Sequence, residues 1–455
     1  MRNRINIQPI IAAVLLAAFS VAAANAQARL ALPRPAVSGV YIEDLANGEV
    51  IADINGDRPF VPASITKAFT SASALSTIGG DYRFETRVNA VGAVEDSVLN
   101  GDIVIGVSGD PTLESEHFED YAGFADSIAA GIRTLGIRAV NGEVRIDKGG
   151  FVDEPTPAGW MEEDLAWPYG SGHFGASFRD NKFVLSMPGK RSNPHVPSLK
   201  VSHTAAKGAL SVKRRRGSDT FHTRGRLRKK GASTTLANPD PGATMVHEIR
   251  HTLSKSGIAV KNLRKTTPGE NADTLEIYTH VSPPLVDILR SLMFRSDNMM
   301  AEGVLRLLAP GKSRKEAVES EIELWQSRDL DTELIELEDG SGLSRDDRLT
   351  PYFMADILAW MAESDQAALY ASLFPKAGLD GTLKGFLTDT ELEGRLALKT
   401  GSMKGVQSFA GYLLDNDGNP THAVIVMVND FTCARAKVKS AIQQLLLSLL
   451  PSPQP

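Results

Sequence analysis

Pro62-Ala63-Ser64-Ile65-Thr66-Lys67-Ala68-Phe69-Thr70 opens a helical pattern that runs to Gly79-Gly80. It reads Ser-x-x-Lys, and residues three apart on a helix lie one turn from each other on the same face. Pro62 fixes the entry and puts Ser64 near the first turn, where backbone N–H groups are free and the helix dipole is positive. A lysine one turn on takes the serine proton when its amine is neutral, and burial or a second cation nearby favours that form. The stretch therefore holds the parts of an activated serine nucleophile with its own base. Taken alone, a Ser-x-x-Lys more often marks a helix start followed by a solvated lysine, so the rest of the chain has to supply the partners.

Two further stretches supply them. Ser296-Asp297-Asn298 lies inside a helical run from Pro283 to Arg306, and Lys399-Thr400-Gly401-Ser402 closes a strand at Arg395–Leu398. Acyl transfer needs a nucleophile, a base, a proton path to the leaving group and an oxyanion hole. Ser64 attacks and Lys67 takes its proton. Ser296 relays a proton to the leaving amine, while Asn298 orients Lys67 and holds the substrate amide. Lys399 adds positive charge that keeps Lys67 neutral and attracts a carboxylate, which the Thr400 and Ser402 hydroxyls can hold. Gly401 lets the strand backbone come close to the substrate. The N–H groups of Ser64 and Ser402 are the expected oxyanion donors, each worth about 10²–10³ in rate. The constellation calls for no metal and no cofactor.

Composition sets the setting. Met1-Arg-Asn-Arg4, an apolar run from Ile10 to Phe19 and Ala24-Asn25-Ala26 make a secretory signal peptide with cleavage after Ala26. The mature protein is then exported to the periplasm. The 455-residue chain has a net charge of −6, which argues against a nucleic-acid partner. Its single cysteine, Cys433, excludes an intrachain disulfide. Helix-and-strand texture over 27–81 and 281–455 flanks a β-rich stretch over 82–280 with frequent Gly, Asn and Pro turns. The simplest organisation is one α/β domain split in sequence by a large insertion. Strands are expected at 38–44 and 49–54, joined through Asn47-Gly48, at 394–401, 406–414 and 421–429, with helices at 244–256 and 434–449.

The three motifs in this order resemble the D-alanyl-D-alanine carboxypeptidase/endopeptidases, the low-molecular-mass class C penicillin-binding proteins. The resemblance extends to Gly109-Asp-Pro-Thr-Leu113, Gly159-Trp160 with Asp164, Ser296 to Glu302, Asp339-Gly-Ser-Gly-Leu-Ser344, Gly378 to Leu383 and Phe409-Ala-Gly-Tyr412. It implies the penicillin-recognising serine transferase/hydrolase fold, an antiparallel sheet between helices, with domains inserted between the first and second motifs. It implies cleavage of terminal D-Ala and of cross-links in peptidoglycan stem peptides, with β-lactams as acylating inhibitors. It also implies that Asp164 faces the ammonium of a diamino acid in the stem, with Met403 as an apolar wall of the same pocket. The chain departs from the family at Tyr169-Gly-Ser-Gly-His-Phe174, where small and apolar residues are usual.

Two other signals stand outside this reading. His247-Glu-Ile-Arg-His251 has the zinc-protease spacing, but Arg250 puts a charge beside the ligands and no third ligand follows, so a surface helix is the expectation. Val212 to Arg216 and Arg224 to Lys230 make residues 213–230 a basic run, read as a solvated hairpin or as a contact with anionic envelope polymers or lipid headgroups. Two rival functions remain: a β-lactamase, disfavoured because class A enzymes place a deacylating Glu in a much shorter gap, and a catalytically idle envelope-binding protein.

Overall fold

The Asn47-Gly48 signal makes a hairpin: Gly48 sits at φ +72° and joins β1 (Val37–Asp44) to β2 (Val50–Ile54). The structure, a computed structural model, describes residues 30–152, 154–226, 231–262 and 273–451. The signal peptide expected at 1–26, the end of the Pro-rich tail and Leu227–Lys230 of the basic run lie outside the described residues. After β2 a single 3₁₀ turn, Ala63–Ile65, leads into α1 (Thr66–Ile78). No helix among the described residues is long and apolar enough to cross a membrane.

The middle of the chain is β-rich. Strands β3 (Glu85–Glu95) and β4 (Val98–Gly106) form a long hairpin, followed by α2 (Phe124–Thr134), β5 (Ala139–Val140) and β6 (Val144–Asp147). Six short strands come next: β7 (Lys182–Met187), β8 (Arg191–Asn193), β9 (Lys200–Ala205), β10 (Ser211–Arg214), β11 (Thr220–Gly225) and β12 (Ala232–Ala237). Helix α3 (Pro241–Lys255) starts three residues before the sequence expectation. The reason is its cap: Asp240 accepts from Ala243 N at 2.8 Å, and Pro241 fits the first helical position. Strands β13 (Ala259–Val260) and β14 (Thr274–Val281) end this part.

The run expected to be one helix from Pro283 to Arg306 is two, α4 (Leu285–Arg295) and α5 (Asn298–Leu307). Between them Ser296 takes φ +60°, a left-handed conformation that a non-glycine residue holds only at a cost. Asp297 then caps α5, its carboxylate accepting from Met300 N at 2.8 Å. Ser296 therefore stands in a break, not on a helical face. Helices α6 (Arg314–Gln326), α7 (Pro351–Glu363) and α8 (Ala367–Ala371) follow. Strand β15 (Leu396–Met403) begins and ends two residues later than expected, while β16 (Val406–Leu414), β17 (Pro420–Asn429) and the closing α9 (Arg435–Leu449) fall within a residue of where the sequence placed them.

The chain forms two compact units. The first comprises Met1–Ser76, Leu289–Ser296 and Glu321–Pro455, the second Thr77–Ile288 and Asp297–Ser320. In the first, an antiparallel sheet runs in the order β15-β16-β17-β1-β2. Every residue of β16 is buried, as a central strand covered on both faces must be. Phe409 and Leu413 pack with Val438, Ile442 and Leu446 of α9 on one side. On the other, Tyr412 donates to Leu358 O of α7 at 2.7 Å, Tyr370 to Ala68 O of α1 at 2.8 Å, and Phe69 meets Phe353 edge-on. In the second unit the sheet β13-β5-β4-β3-β14, with β6 on β4, packs under α2 and α3 through Ile103, Phe124, Ile128, Met245 and Ile249. Two three-stranded sheets, β12-β7-β8 and β10-β11-β9, share a smaller core of Phe183, Leu185, Val212, Phe221 and Leu236.

The cap explanation of the α4–α5 break has a direct test. Asp297→Ala is expected to lower stability by about 1 kcal/mol in thermal unfolding, while Asp297→Asn, which keeps a capping oxygen, retains most of it.

Candidate active site

Ser64 is set by the turn that carries it. Ala63 is held at φ +50°, so the chain doubles tightly before α1 and presents Ser64 half-buried at its mouth. Lys67 is fully buried. Its Nζ donates to Ser64 Oγ at 3.0 Å and to Ser341 O at 2.5 Å. That carbonyl is fixed from below by Asp339, itself fully buried, whose carboxylate accepts from the N–H groups of Ser341 at 2.9 Å, Gly342 at 2.5 Å and Ser344 at 2.8 Å. Gly342 is required: at φ +74°, a Cβ there would lie 2.0 Å from Ala63 O. The Asp-Gly-Ser-Gly segment is thus the clamp on Lys67, and Asp339 is a turn-former.

Lys399 is also fully buried. It donates to Ser296 Oγ and to Thr400 O, both at 2.9 Å. Burial, and after it the charge of Lys67, push the Lys399 ammonium well below its ordinary value. Edge strand β15 lies directly against the nucleophile's turn. A Cβ on Gly401 would come within 2.6 Å of Pro62 O and 3.0 Å of Ser64 N, so only glycine lets the strand backbone reach the serine amide. The hydroxyl protons of the next residues are engaged inside this unit: Thr400 Oγ1 donates to Thr382 Oγ1 at 2.8 Å and Ser402 Oγ to Gln407 Oε1 at 2.9 Å. Arg435 holds Gln407 Oε1 at 3.0 Å and the Met403 carbonyl at 2.7 Å. Thr382, Gln407 and Arg435 escape sequence reasoning; the only prior signal is that Thr382 falls in the family-like segment Gly378 to Leu383.

Asn298 and Asp164 belong to the second unit, where Tyr169 joins them. Asn298 Nδ2 donates to Tyr169 O at 2.8 Å, and the Tyr169 hydroxyl donates to Asp164 Oδ1 at 2.9 Å. Partial burial and then Asp164 push the Tyr169 phenol up to about 12, so it stays a donor. The segment that departs from the family is therefore the one that bridges these two residues. Helix α5 packs through Gly303, where a Cβ would meet His173 Nε2 at 3.0 Å and Pro111 at 3.2 Å. His173 Nε2 in turn bonds Gly109 O at 2.7 Å.

Two clusters of metal-ligand type have other engagements. Glu248, the acid of the His-Glu-x-x-His sequence, forms a two-pronged ion pair with Arg179 at 2.9 and 2.5 Å. Glu116 and Asp180, close to His117, already hold the Lys182 ammonium at 2.8 and 3.1 Å.

Ser64 with its lysine, a second lysine on a neighbouring serine, and an edge strand of an antiparallel sheet between helices define the penicillin-recognising serine hydrolase class. The chain belongs to the D-Ala-D-Ala carboxypeptidase 3 (S13) family, whose profile matches residues 21–449. It is 26% identical over 436 residues to the D-alanyl-D-alanine carboxypeptidase DacB of Haemophilus influenzae, covering 90% of this chain and 88% of that one. It is 28% identical over 424 residues to a D-alanyl-D-alanine carboxypeptidase from an Actinomadura species, covering 86% and 77%. The crystal structure of penicillin binding protein 4 (dacB) from H. influenzae matches with a TM-score of 0.78 at 25% identity, covering 92% of this chain and 97% of that one. The same protein complexed with a novel β-lactam matches with a TM-score of 0.72 at 25% identity and the same coverage. The chain is accordingly a D-Ala-D-Ala carboxypeptidase.

The buried Lys399 makes a prediction whose sign follows from linkage. Its folded value is below the ordinary 10.5. Between the two the unfolded chain binds the proton that the folded chain lacks, so this group's contribution to stability rises with pH across that window. Lys399→Met is expected to stabilise the protein at neutral pH by on the order of 1 kcal/mol, the gain shrinking towards the ordinary value, while acylation is lost. Thermal unfolding over a pH series, read beside penicillin labelling, checks both halves.

Proposed function

We propose that the protein is a periplasmic serine DD-peptidase that trims or opens peptidoglycan stem peptides through an acyl-enzyme on Ser64. The observation that carries this is the 3.0 Å bond between Lys67 Nζ and Ser64 Oγ, made by a fully buried lysine. In the reaction, Ser64 Oγ bonds to the carbonyl carbon of the penultimate D-Ala as neutral Lys67 takes its proton. The oxyanion forms against the Ser64 and Ser402 N–H groups. The C–N bond breaks, the departing amine receives a proton through Ser296, and water then hydrolyses the ester. Lys399, with Thr400, Gly401 and Ser402, receives the substrate carboxylate, the two hydroxyls exchanging their internal partners for it. Asn298 aligns the substrate amide and Lys67.

The domain reading that goes with this is a peptidase domain of 27–81 and 281–455 split by an insertion over 82–280. Two of the unit boundaries, at Ser76 and Ile288, support it, while Asp297–Ser320 of the second peptidase segment groups with the inserted part. Export through the signal peptide at 1–26 puts the enzyme where its substrate is. β-Lactams acylate Ser64, in line with the β-lactam complex of the Haemophilus protein. Ser64→Ala is expected to abolish labelling by fluorescent penicillin in a folded protein. Lys67→Arg should cut acylation by roughly 10²–10⁴-fold, as Lys67→Ala does, because arginine keeps its proton and cannot act as base. Labelling of the Ser64 variant at another serine would overturn the assignment. Incubation with monomeric and cross-linked muropeptides, products weighed by mass spectrometry, separates trimming from cross-link cleavage.

Asp164 and Met403 carry the specificity reading. The stem peptide of many walls holds a diamino acid next to D-Ala-D-Ala, and its free ammonium needs an anion. Asp164 is half-buried and oriented by Tyr169. Asp164→Asn keeps the oxygen that Tyr169 bonds and removes only the charge. It is expected to lower kcat/KM for diaminopimelate peptides by about tenfold or more while leaving acylation by simple penicillins unchanged. A parallel fall in both rates would mean that Asp164 is structural.

A further inference from the structure

The basic run divides into two kinds of residue once the strands are in register. Residues 181–239 hold fourteen Lys and Arg against a single acid, Asp219, in a chain whose net charge is −6. Along β10 the pattern alternates, with Val212 and Arg214 buried and Ser211 and Lys213 exposed. Two of the arginines, buried Arg214 and exposed Arg216, are internal ties. Arg214 donates twice to Leu165 O, at 2.9 and 2.7 Å. Arg216, just past the strand, donates to the carbonyls of Thr156, Pro157, Ala158 and Trp160 at 2.8–3.1 Å. Buried Arg214 spends its guanidinium on a backbone oxygen, and Arg216, though exposed, spends its own on the 156–160 segment, so neither belongs to the outward array.

The outward residues differ. Lys213 stands opposite His222, which neighbours Ser202 on β9. In the next row Ser211 stands opposite Arg224, which neighbours Thr204, and at the other end Thr220 neighbours Lys200. Lys200, Lys213 and Arg224 are exposed, and among the described residues none of them has an ion-pair partner. This face of the β10-β11-β9 sheet therefore carries cations, hydroxyls and the His222 imidazole, with no carboxylate and no apolar side chain. Strands lie about 4.8 Å apart and outward residues about 6.8 Å apart along each strand, so the charges form a flat array wider than one small anion. A membrane-seeking face needs apolar side chains to insert beside its cations, and this one has none. Hydroxyls between cations suit a hydrated polymer that presents many carboxylates and sugar oxygens.

We propose that the exposed face of this sheet is a docking surface for the polyanionic substrate itself, the peptidoglycan strand, bound through stem-peptide carboxylates outside the catalytic centre. The inference rests on the DD-peptidase reading for the identity of the polymer. Its effect is attachment: the enzyme is held on the wall while stems are presented in turn, a gain in effective concentration that isolated stem peptides do not receive.

The test compares the intact protein with K200E/K213E/R224E and with the milder K200Q/K213Q/R224Q. Retention on isolated peptidoglycan sacculi is read over a salt series, beside phosphatidylglycerol vesicles, turnover of a soluble monomeric muropeptide and penicillin labelling. Retention by sacculi should fall about tenfold or more in the Glu variant and less in the Gln variant, and salt should weaken only the parent steeply. Muropeptide turnover and labelling should not change. Sacculus retention equal to the parent's in both variants overturns the proposal, as does parent retention by the vesicles but not by sacculi. Should the Glu variant fail to label with penicillin, and so be misfolded, the Gln variant decides. Parent protein that binds sacculi through this face but turns over no muropeptide would instead overturn the peptidase reading.

Discussion

Two lysines of the first unit, Lys67 and Lys399, have no exposure to solvent, and much of that unit serves to make their burial tolerable. An ammonium removed from water must recover its hydrogen bonds inside the protein. Lys67 recovers them from Ser64 Oγ and the Ser341 carbonyl, Lys399 from Ser296 Oγ and the Thr400 carbonyl. Each of those oxygens is held by something else: Ser341 by the Asp339 turn, Ser296 by the break between two helices, Thr400 by the edge strand. The mutual repulsion of the two cations is the second half of the design, since it favours loss of a proton at the pair. Burial and crowding, which cost stability, are what the proposed reaction draws on to have a base without a histidine.

The second unit shows arginine used as scaffold. Arg214 and Arg216 reach from the small sheet to the carbonyls of the Thr156–Leu165 segment, which has few regular hydrogen bonds of its own. The planar guanidinium of Arg216 serves several oxygens at once and that of Arg214 puts two N–H groups on one, which a lysine could not do with the same geometry. That segment contains Asp164, so its position depends on the strands that carry these arginines. The apparent excess of charge in the basic run is thus partly internal structure and partly an outward array, and strand alternation alone separates the two.

How much of this was legible beforehand depends on range. The motifs Ser64–Lys67, Ser296–Asn298 and Lys399–Ser402, the terminal strands and the closing helix were legible because each is a local pattern with a local physical cause. The spacing of Ser and Lys fixes one helical turn, Asn47-Gly48 fixes a hairpin, and alternation fixes β15 to β17. The break at Ser296 was not legible. Apolar periodicity continues through it, and the cap that ends it uses an aspartate that reads equally well as a helix residue. The early start of α3 was lost for a related reason, since Asp240-Pro241 follows strand-like residues.

What the sequence determined by itself is the set of motifs and their order: Ser64 one turn from Lys67, then Ser296–Asn298 and Lys399–Ser402, with a β-rich stretch between the first and second. The tertiary structure decided which atoms face one another. It put the Ser341 carbonyl on Lys67, placed Gly401 against the Ser64 amide, set Tyr169 between Asn298 and Asp164, and turned Arg214 inward and Lys213 outward. The contacts of Ser341 with Lys67, Gly401 with Ser64, Tyr169 with Asn298 and Arg214 with Leu165 do not follow from spacing along the chain, because each joins segments tens or hundreds of residues apart. They are fixed only when the sheet register and the buried surfaces of each unit are fixed together.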